Sequence, residues 1–245
     1  MDKKLKMKLD ILAFGAHPDD VELGCGGSLA LSIKNGKKVG VIDLTQGELG
    51  TRGNKEIRLK EASKSSAILG IKVRENLKFR DGFLINDEHH QLKIISMIRK
   101  YKPEVVLCNA ISDRHIDHST ASKLVSDSCF LSGLSKLKVN SEDGNLTSDW
   151  RPSKVYHYIQ WDDIHPDFVV DISQTLQTKI ESIKQYKSQL FNPKSNESDT
   201  PISSKNFLES VTYRAKNLGR LIGVDAGEGF TVERYPGIKS FDDLI

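Results

Sequence analysis

Seven side chains with chemistry to offer fall in two short stretches of a 245-residue chain. His17, Asp19 and Asp20 lie in residues 16–20 (AHPDD), and Asp113, His115, Asp117 and His118 in residues 109–118 (NAISDRHIDH). His17 and Asp20 stand three apart, so both can turn toward one point, and His118 can join them from the second stretch. Two imidazoles and one carboxylate make a borderline N,N,O set that suits Zn²⁺. Three protein ligands leave positions open for water and substrate, as in a catalytic zinc site. Asp19, beside such a metal without binding it, could take a proton from the attacking water. His115 could stand across the substrate as an imidazolium, stabilising an oxyanion or protonating a leaving amine. Asp117 could orient His115 by accepting from its second nitrogen.

Each cluster alone has a plainer reading. An HxxH pair in a loop is commonly surface polarity, and adjacent aspartates before a helix are commonly an N-cap with favourable dipole charges. Placement argues for more. Residues 11–16 (ILAFGA) and 104–108 (EVVLC) are apolar runs of the length expected for strands buried on both faces, and each polar cluster follows one of them. In a doubly wound α/β fold, ligands bind outside the carboxyl ends of the strands, so the two clusters can face each other across one crevice.

The elements that must position them alternate along the chain. Strands are expected at 11–16, 38–44, 73–79, 104–108, 154–160 and 168–172. Helices are expected at 21–34, 55–69, 88–101, 119–131, 173–190 (with Ser173 as its N-cap) and 206–223. Residues 45–54 (TQGELGTRGN) form a Gly-rich loop, 132–151 a polar surface excursion and 192–205 a loop of mobile composition. This order predicts a single α/β domain over 1–245: a mostly parallel sheet with helices on both faces and a less regular C-terminal third. The run Gly24 to Gly27 (GCGG) lacks the G-x-G-x-x-G spacing and falls inside the first helix, so close helix packing explains it better than a dinucleotide does. His89, His90, His157 and His165 lack acidic or thiol clusters around them and are read as surface or packing residues.

With 36 basic and 33 acidic residues the net charge is +3, carried in no long block of one sign, so a nucleic-acid partner is not implied. No stretch approaches the roughly 18 apolar residues of a membrane span. The first eight residues are charged and run into a strand without a cleavage pattern, so a cytoplasmic protein is expected. Cys25, Cys108 and Cys129 sit in apolar or small-residue settings and are read as reduced structural thiols.

Residues 16–20 (AHPDD), 45–53 (TQGELGTRG), 58–62 (RLKEA) and 114–118 (RHIDH) resemble the PIG-L (LmbE-like) family of zinc-dependent N-acetylglucosamine deacetylases. Residues 186–190 (YKSQL) and 227–230 (GEGF) resemble the branch that deacetylates N-acetylglucosaminyl malate in bacillithiol biosynthesis. The resemblance implies a Rossmann-like fold and a homo-oligomer, with hexamers among the relatives. It implies zinc on His17, Asp20 and His118, a general base in Asp19 and an oxyanion or acid histidine in His115, in agreement with the chemistry above. Ile116 stands where the family usually has proline.

Substrate charge can be argued from the residues. Arg52, following Glu48 in the loop after the second strand, and Arg114 can each present a planar fork to a carboxylate or to sugar hydroxyls. Glu48, Arg52 and Arg114 are therefore the expected substrate contacts. Two functions remain at this stage: a hydrolase acting on N-acetylglucosaminyl malate or another GlcNAc conjugate such as a chitobiose-like sugar, and a sugar- or metal-binding protein without turnover. Asp19 and His115 favour the enzyme, since binding alone needs neither a base nor an acid.

Overall fold

A computed structural model describes residues 7–141 and 143–244; residues 1–6, on which the expected absence of a leader rests, lie outside them. The chain runs β1 (Ile11–Gly15), α1 (Asp20–Lys34), β2 (Val39–Thr45), α2 (Lys55–Leu69), β3 (Val73–Phe79), α3 (Glu88–Tyr101), β4 (Val105–Cys108), α4 (Ile116–Ser132), β5 (Lys154–Tyr158), β6 (Phe168–Asp171), α5 (Leu176–Ile183), α6 (Phe207–Leu221) and β7 (Gly227–Val232). The sheet order is β3-β2-β1-β4-β5-β7-β6. The first five strands in that order pair in parallel, while β7 runs antiparallel to both β5 and β6.

Strand alternation divides the core between two faces. Leu12, Phe14, Ile42, Leu44, Val106 and Cys108 point to the side covered by α3 and α4 and pack with Ile94, Ile98, Leu124 and Val125. Ala13, Val41 and Leu107 point to the other side, against Val21, Cys25 and Leu29 of α1. Both faces of the central strands are thus dry, which is why their sequences read as unbroken apolar runs. The chain winds outward from β1 through β2 to β3, then returns to place β4 on the other side of β1. The crevice opens at that reversal, beyond the ends of β1 and β4.

Most boundaries fall within two residues of the sequence reading, and three differences are larger. Helix α4 begins three residues early because the His115 side chain caps it, accepting from Asp117 N, so Asp117 and His118 lie in its first turn. Ile116 is the first helical residue, where a backbone N–H has no intrahelical partner and proline is tolerated; isoleucine therefore replaces it without changing the chain path. Helix α5 is shorter than expected at both ends; it starts late because Asp171 draws Ser173 into a local turn through its N–H (2.8 Å) and hydroxyl (2.6 Å). Strand β7 has no counterpart among the expected strands, because the two glycines of GEGF hide a strand signal.

Tight packing accounts for the glycine run. A Cβ on Gly24 would lie 2.1 Å from Cδ2 of Tyr158, a fully buried ring whose hydroxyl donates to Phe14 O at 2.9 Å. A Cβ on Gly26 would meet nothing nearer than Lys179 Cγ at 3.6 Å. Gly24→Ala should therefore destabilise the protein by ~1–3 kcal/mol, lowering the melting temperature by ~2–4 °C per kcal/mol. Gly26→Ala should hold or raise it. Equal losses in the two variants, measured by thermal unfolding, would contradict this packing account.

Candidate active site

The chain leaving β1 carries His17 to Asp20 over the sheet edge, and Asp20 opens α1. The residue is 2% exposed. Oδ2 accepts from His17 N (2.9 Å) and from Asn109 Nδ2 (3.0 Å), and Oδ1 accepts from Gln160 Nε2 (2.7 Å). Two imidazoles flank it, with His17 Nδ1 at 3.5 Å from Oδ2 and His118 Nε2 at 3.2 Å from Oδ1. Burial alone would raise the Asp20 pKa, but the His118 and His17 rings hold it well below the usual carboxylate range. The three expected metal ligands thus converge.

Each imidazole turns its other nitrogen to a carboxylate. His17 Nε2 lies 3.0 Å from Asp81 Oδ1 and 3.3 Å from Asp117 Oδ2. His118 Nδ1 lies 3.2 Å from Asp113 Oδ1, off the line of a good hydrogen bond, and has no aligned partner. Metal-binding histidines characteristically donate their outer N–H to such a group, which fixes tautomer and ring plane. With one nitrogen of each ring aimed at Asp20 and the other backed by a carboxylate, the donor set fits a divalent transition ion. His115 joins the cluster: ligand atoms of His17, His115 and His118 all lie within 4.8 Å of one another.

Asp19 has a different environment. It is 6% exposed, at φ 114°, ψ −26°, a region that costs a non-glycine residue of order 1–3 kcal/mol. Although it occupies the N-cap position of α1, its side chain makes no capping bond. Oδ2 instead accepts from Arg58 Nη2 at 3.0 Å, and the same nitrogen donates to Pro18 O. Burial pushes the Asp19 pKa up to about 7, against the pull of Arg58. Gly47 makes this possible: at φ +64° its absent Cβ would stand 2.0 Å from Arg58 Nη1.

Two expected roles change. Asp117 does not orient His115 through its carboxylate, which serves His17 and accepts from Gly82 N (2.7 Å) and Leu84 N (3.3 Å). His115 is held by the Asp117 backbone N–H, which donates to its Nδ1 at 3.2 Å. That bond puts the ring proton on Nε2 and disfavours the expected imidazolium. Burial, and then the nearby His17 and His118 charges, lower the His115 pKa in the same direction. The backbone bond at Nδ1 leaves Nε2 as the donor nitrogen of His115.

Glu48 and Arg52 do not line the site, while Arg114 does. Glu48 Oε1 accepts from Asp81 N at 2.9 Å and so braces the residue behind His17. Arg52 turns under the loop, where Nη1 donates to Leu190 O at 3.1 Å, and is 3% exposed. The cavity, of about 600 Å³, extends from His17 along α1 to α6. Arg58, Asp81, Gln160, Trp161 and Arg214 also line it and are not singled out by the sequence. One available signal is periodic: Phe207, Val211, Arg214 and Leu218, at helical spacing, form the stripe of α6 that faces the cavity.

The sequence profile of a family described as PIG-L, GlcNAc-PI de-N-acetylase, matches residues 12–129. The crystal structure of the conserved protein TT1542 from Thermus thermophilus superposes with a TM-score of 0.84 at 32% identity, covering 95% of this chain and 98% of that one. The N,N'-diacetylchitobiose deacetylase from Pyrococcus horikoshii, complexed with its inhibitor MPG, superposes at 0.77 with 26% identity over 96% of this chain and 88% of that one. A diacetylchitobiose deacetylase of Thermococcus kodakarensis is 28% identical over 189 residues, 73% of this chain and 69% of that one.

The ligand geometry predicts that the chain, reconstituted with zinc, holds about one ion and that His17→Ala or His118→Ala loses it. Asp113→Ala, which removes only the carboxylate behind His118, should weaken retention by ~10- to 100-fold. Elemental analysis and chelator competition read both effects; equal zinc content and affinity in all four proteins would remove the metal assignment.

Proposed function

The chain belongs to the PIG-L family, and from that premise we propose that it hydrolyses the acetamide of an N-acetylglucosaminide, releasing acetate and the free amine. The observation that carries the reading is Asp19: a buried carboxylate beside the imidazole cluster, released from helix capping and held by Arg58. A protein that merely bound sugar would have no use for a base kept there at the cost of backbone strain.

A divalent ion held by His17, Asp20 and His118 would supply Lewis acidity to the scissile carbonyl and to the attacking water. Asp19 takes the proton of that water as its oxygen bonds to the carbonyl carbon. His115 Nε2–H donates to the carbonyl oxygen as negative charge gathers there, a task a neutral imidazole performs without first giving up a proton. Asp19 then returns its proton to the amine nitrogen as the C–N bond breaks. Arg58 keeps the Asp19 carboxylate fixed throughout, so the reacting groups remain aligned.

For the substrate we propose N-acetylglucosaminyl malate, on the resemblance of residues 186–190 and 227–230 to the bacillithiol branch. A second reading, a diacetylchitobiose-type disaccharide, is supported by the two deacetylases above that bear that name. A cavity of about 600 Å³ accommodates a hexose with an appended group of either kind.

Acetate release assayed over GlcNAc-malate, diacetylchitobiose and free GlcNAc separates these readings, the highest kcat/KM being expected for GlcNAc-malate. Asp19→Ala should keep its zinc and lose on the order of 10² to 10⁴ in kcat. A wild-type rate in that variant would strip Asp19 of its role. Failure of the zinc-loaded protein to release acetate from any GlcNAc conjugate would overturn the deacetylase reading.

A further inference from the structure

Most charges lining the cavity are answered by a partner. Asp19 meets Arg58, Asp20 lies between His17 and His118, Asp81 backs His17 and Asp113 backs His118. Lys179 meets Glu228 at 2.6 Å. Two cations are left over. Among the described residues, neither Arg114 nor Arg214 has a carboxylate within 4 Å, although both line the cavity. Asp113, Asp162 and Asp163 act on Arg214 only through longer-range attraction.

Both guanidinium groups are docked on one residue. Arg114 Cζ sits 4.8 Å from the centroid of the Trp161 ring, and Arg214 donates through Nη2 to Trp161 O. Trp161 is itself fixed, its ring stacked on Phe207 at 6.1 Å and 15° and its backbone N–H donating to Asp113 Oδ2 at 3.0 Å. Asp113 Oδ1 faces His118. One carboxylate therefore sets the distance between the imidazole cluster and the two arginines. Stacking on an aromatic ring orients a guanidinium while leaving its edge N–H groups free, the geometry that recognises carboxylates through paired bonds.

We propose that Arg114 and Arg214, held on Trp161, form the recognition site for a carboxylate on the aglycone of the substrate. This assignment rests on the deacetylase reading and replaces Arg52, whose guanidinium is turned beneath the loop toward Leu190. It places the selectivity of the enzyme on the two arginines around Trp161 rather than on the groups that act on the acetamide. Anionic conjugates are bound there through ground-state contacts, so the arginines act on KM more than on kcat.

The test compares a GlcNAc conjugate bearing a carboxylate aglycone with its carboxamide isostere, by acetate release and by calorimetric binding. The zinc-loaded wild type should favour the carboxylate by about 10-fold or more in kcat/KM. Arg114→Ala and Arg214→Ala should each reduce that ratio, mainly through KM, with lysine at either position recovering only part. The preference should shrink at high salt. Arg52→Ala should retain it. Equal kcat/KM for the two conjugates with acetate still released would overturn this assignment while leaving deacetylation standing, as would loss of the preference in Arg52→Ala alone. If neither conjugate released acetate, the deacetylase reading would fall, and binding would decide the anion site by itself: tighter carboxylate binding supports it and equal binding overturns it.

Discussion

The architecture of the site depends on one carboxylate that cannot be left to water. Asp20 is almost fully buried, and its two oxygens are met by a backbone N–H of the β1 loop, by Asn109 after β4 and by Gln160 after β5. Removing any of these would leave a buried charge short of partners, at a cost of ~1–3 kcal/mol or more. Three strand ends are consequently pinned to a single group. Asn109 tightens the same knot from the other direction, its Oδ1 accepting from Ala16 N at 2.9 Å. The reversal of strand order opens a crevice between β1 and β4, and Asp20 sets its width.

A second charged layer lies behind the first and anchors the helices that carry it. Glu22, with no exposure, receives the Ser65 hydroxyl (2.8 Å), Arg74 Nη1 (2.6 Å) and the Tyr186 hydroxyl (3.0 Å) on one oxygen. Arg74 also grips Asp43 of β2 with two bonds of 2.8 Å. Burial raises the Asp43 pKa even against this guanidinium, a sign of how dry the layer is. These contacts tie α1, α2, β2 and β3 to the turns after α5. The Gly-rich loop springs from that frame, and Gly47 lets Arg58 pass through it to Asp19.

What the sequence disclosed and what it withheld divide along the range of the interactions. Helices α2 and α3 and strand β3 were readable to the residue, because the residues that stop them, such as Gly70 at the end of α2, are local signals. The convergence of His17, Asp20 and His118 was readable because their chemistry and their place at strand ends agree. The roles of Glu48, Arg52 and Asp117 were misread because loop composition does not say which way a side chain turns. Arg58 and Asp81 went unassigned for the same reason: an arginine in a helical motif and an aspartate in a turn acquire meaning only when Asp19 and His17 arrive beside them. Strand β7 was missed because its glycines and antiparallel pairing contradict the rhythm of the rest.

The first helix of the fold is finished by its last strand. At Cys25, α1 leaves helical geometry (φ −141°, ψ 17°), and the N–H groups of Gly27 and Ser28 beyond the break are taken by the Glu228 carboxylate at 3.0 and 2.7 Å, across 200 residues of chain. Glu228 is in turn held by Lys179 of α5. During synthesis these two donors emerge long before their acceptor; at ~5–20 residues per second the interval is roughly 10–40 s. A nascent chain that has just completed α4 already carries the imidazoles and the carboxylates of the site. It still lacks the acceptor that steadies the helix behind them. The break in the first helix is thus closed only by a residue of the last strand, so the α1 frame behind the site is complete only in the full-length chain.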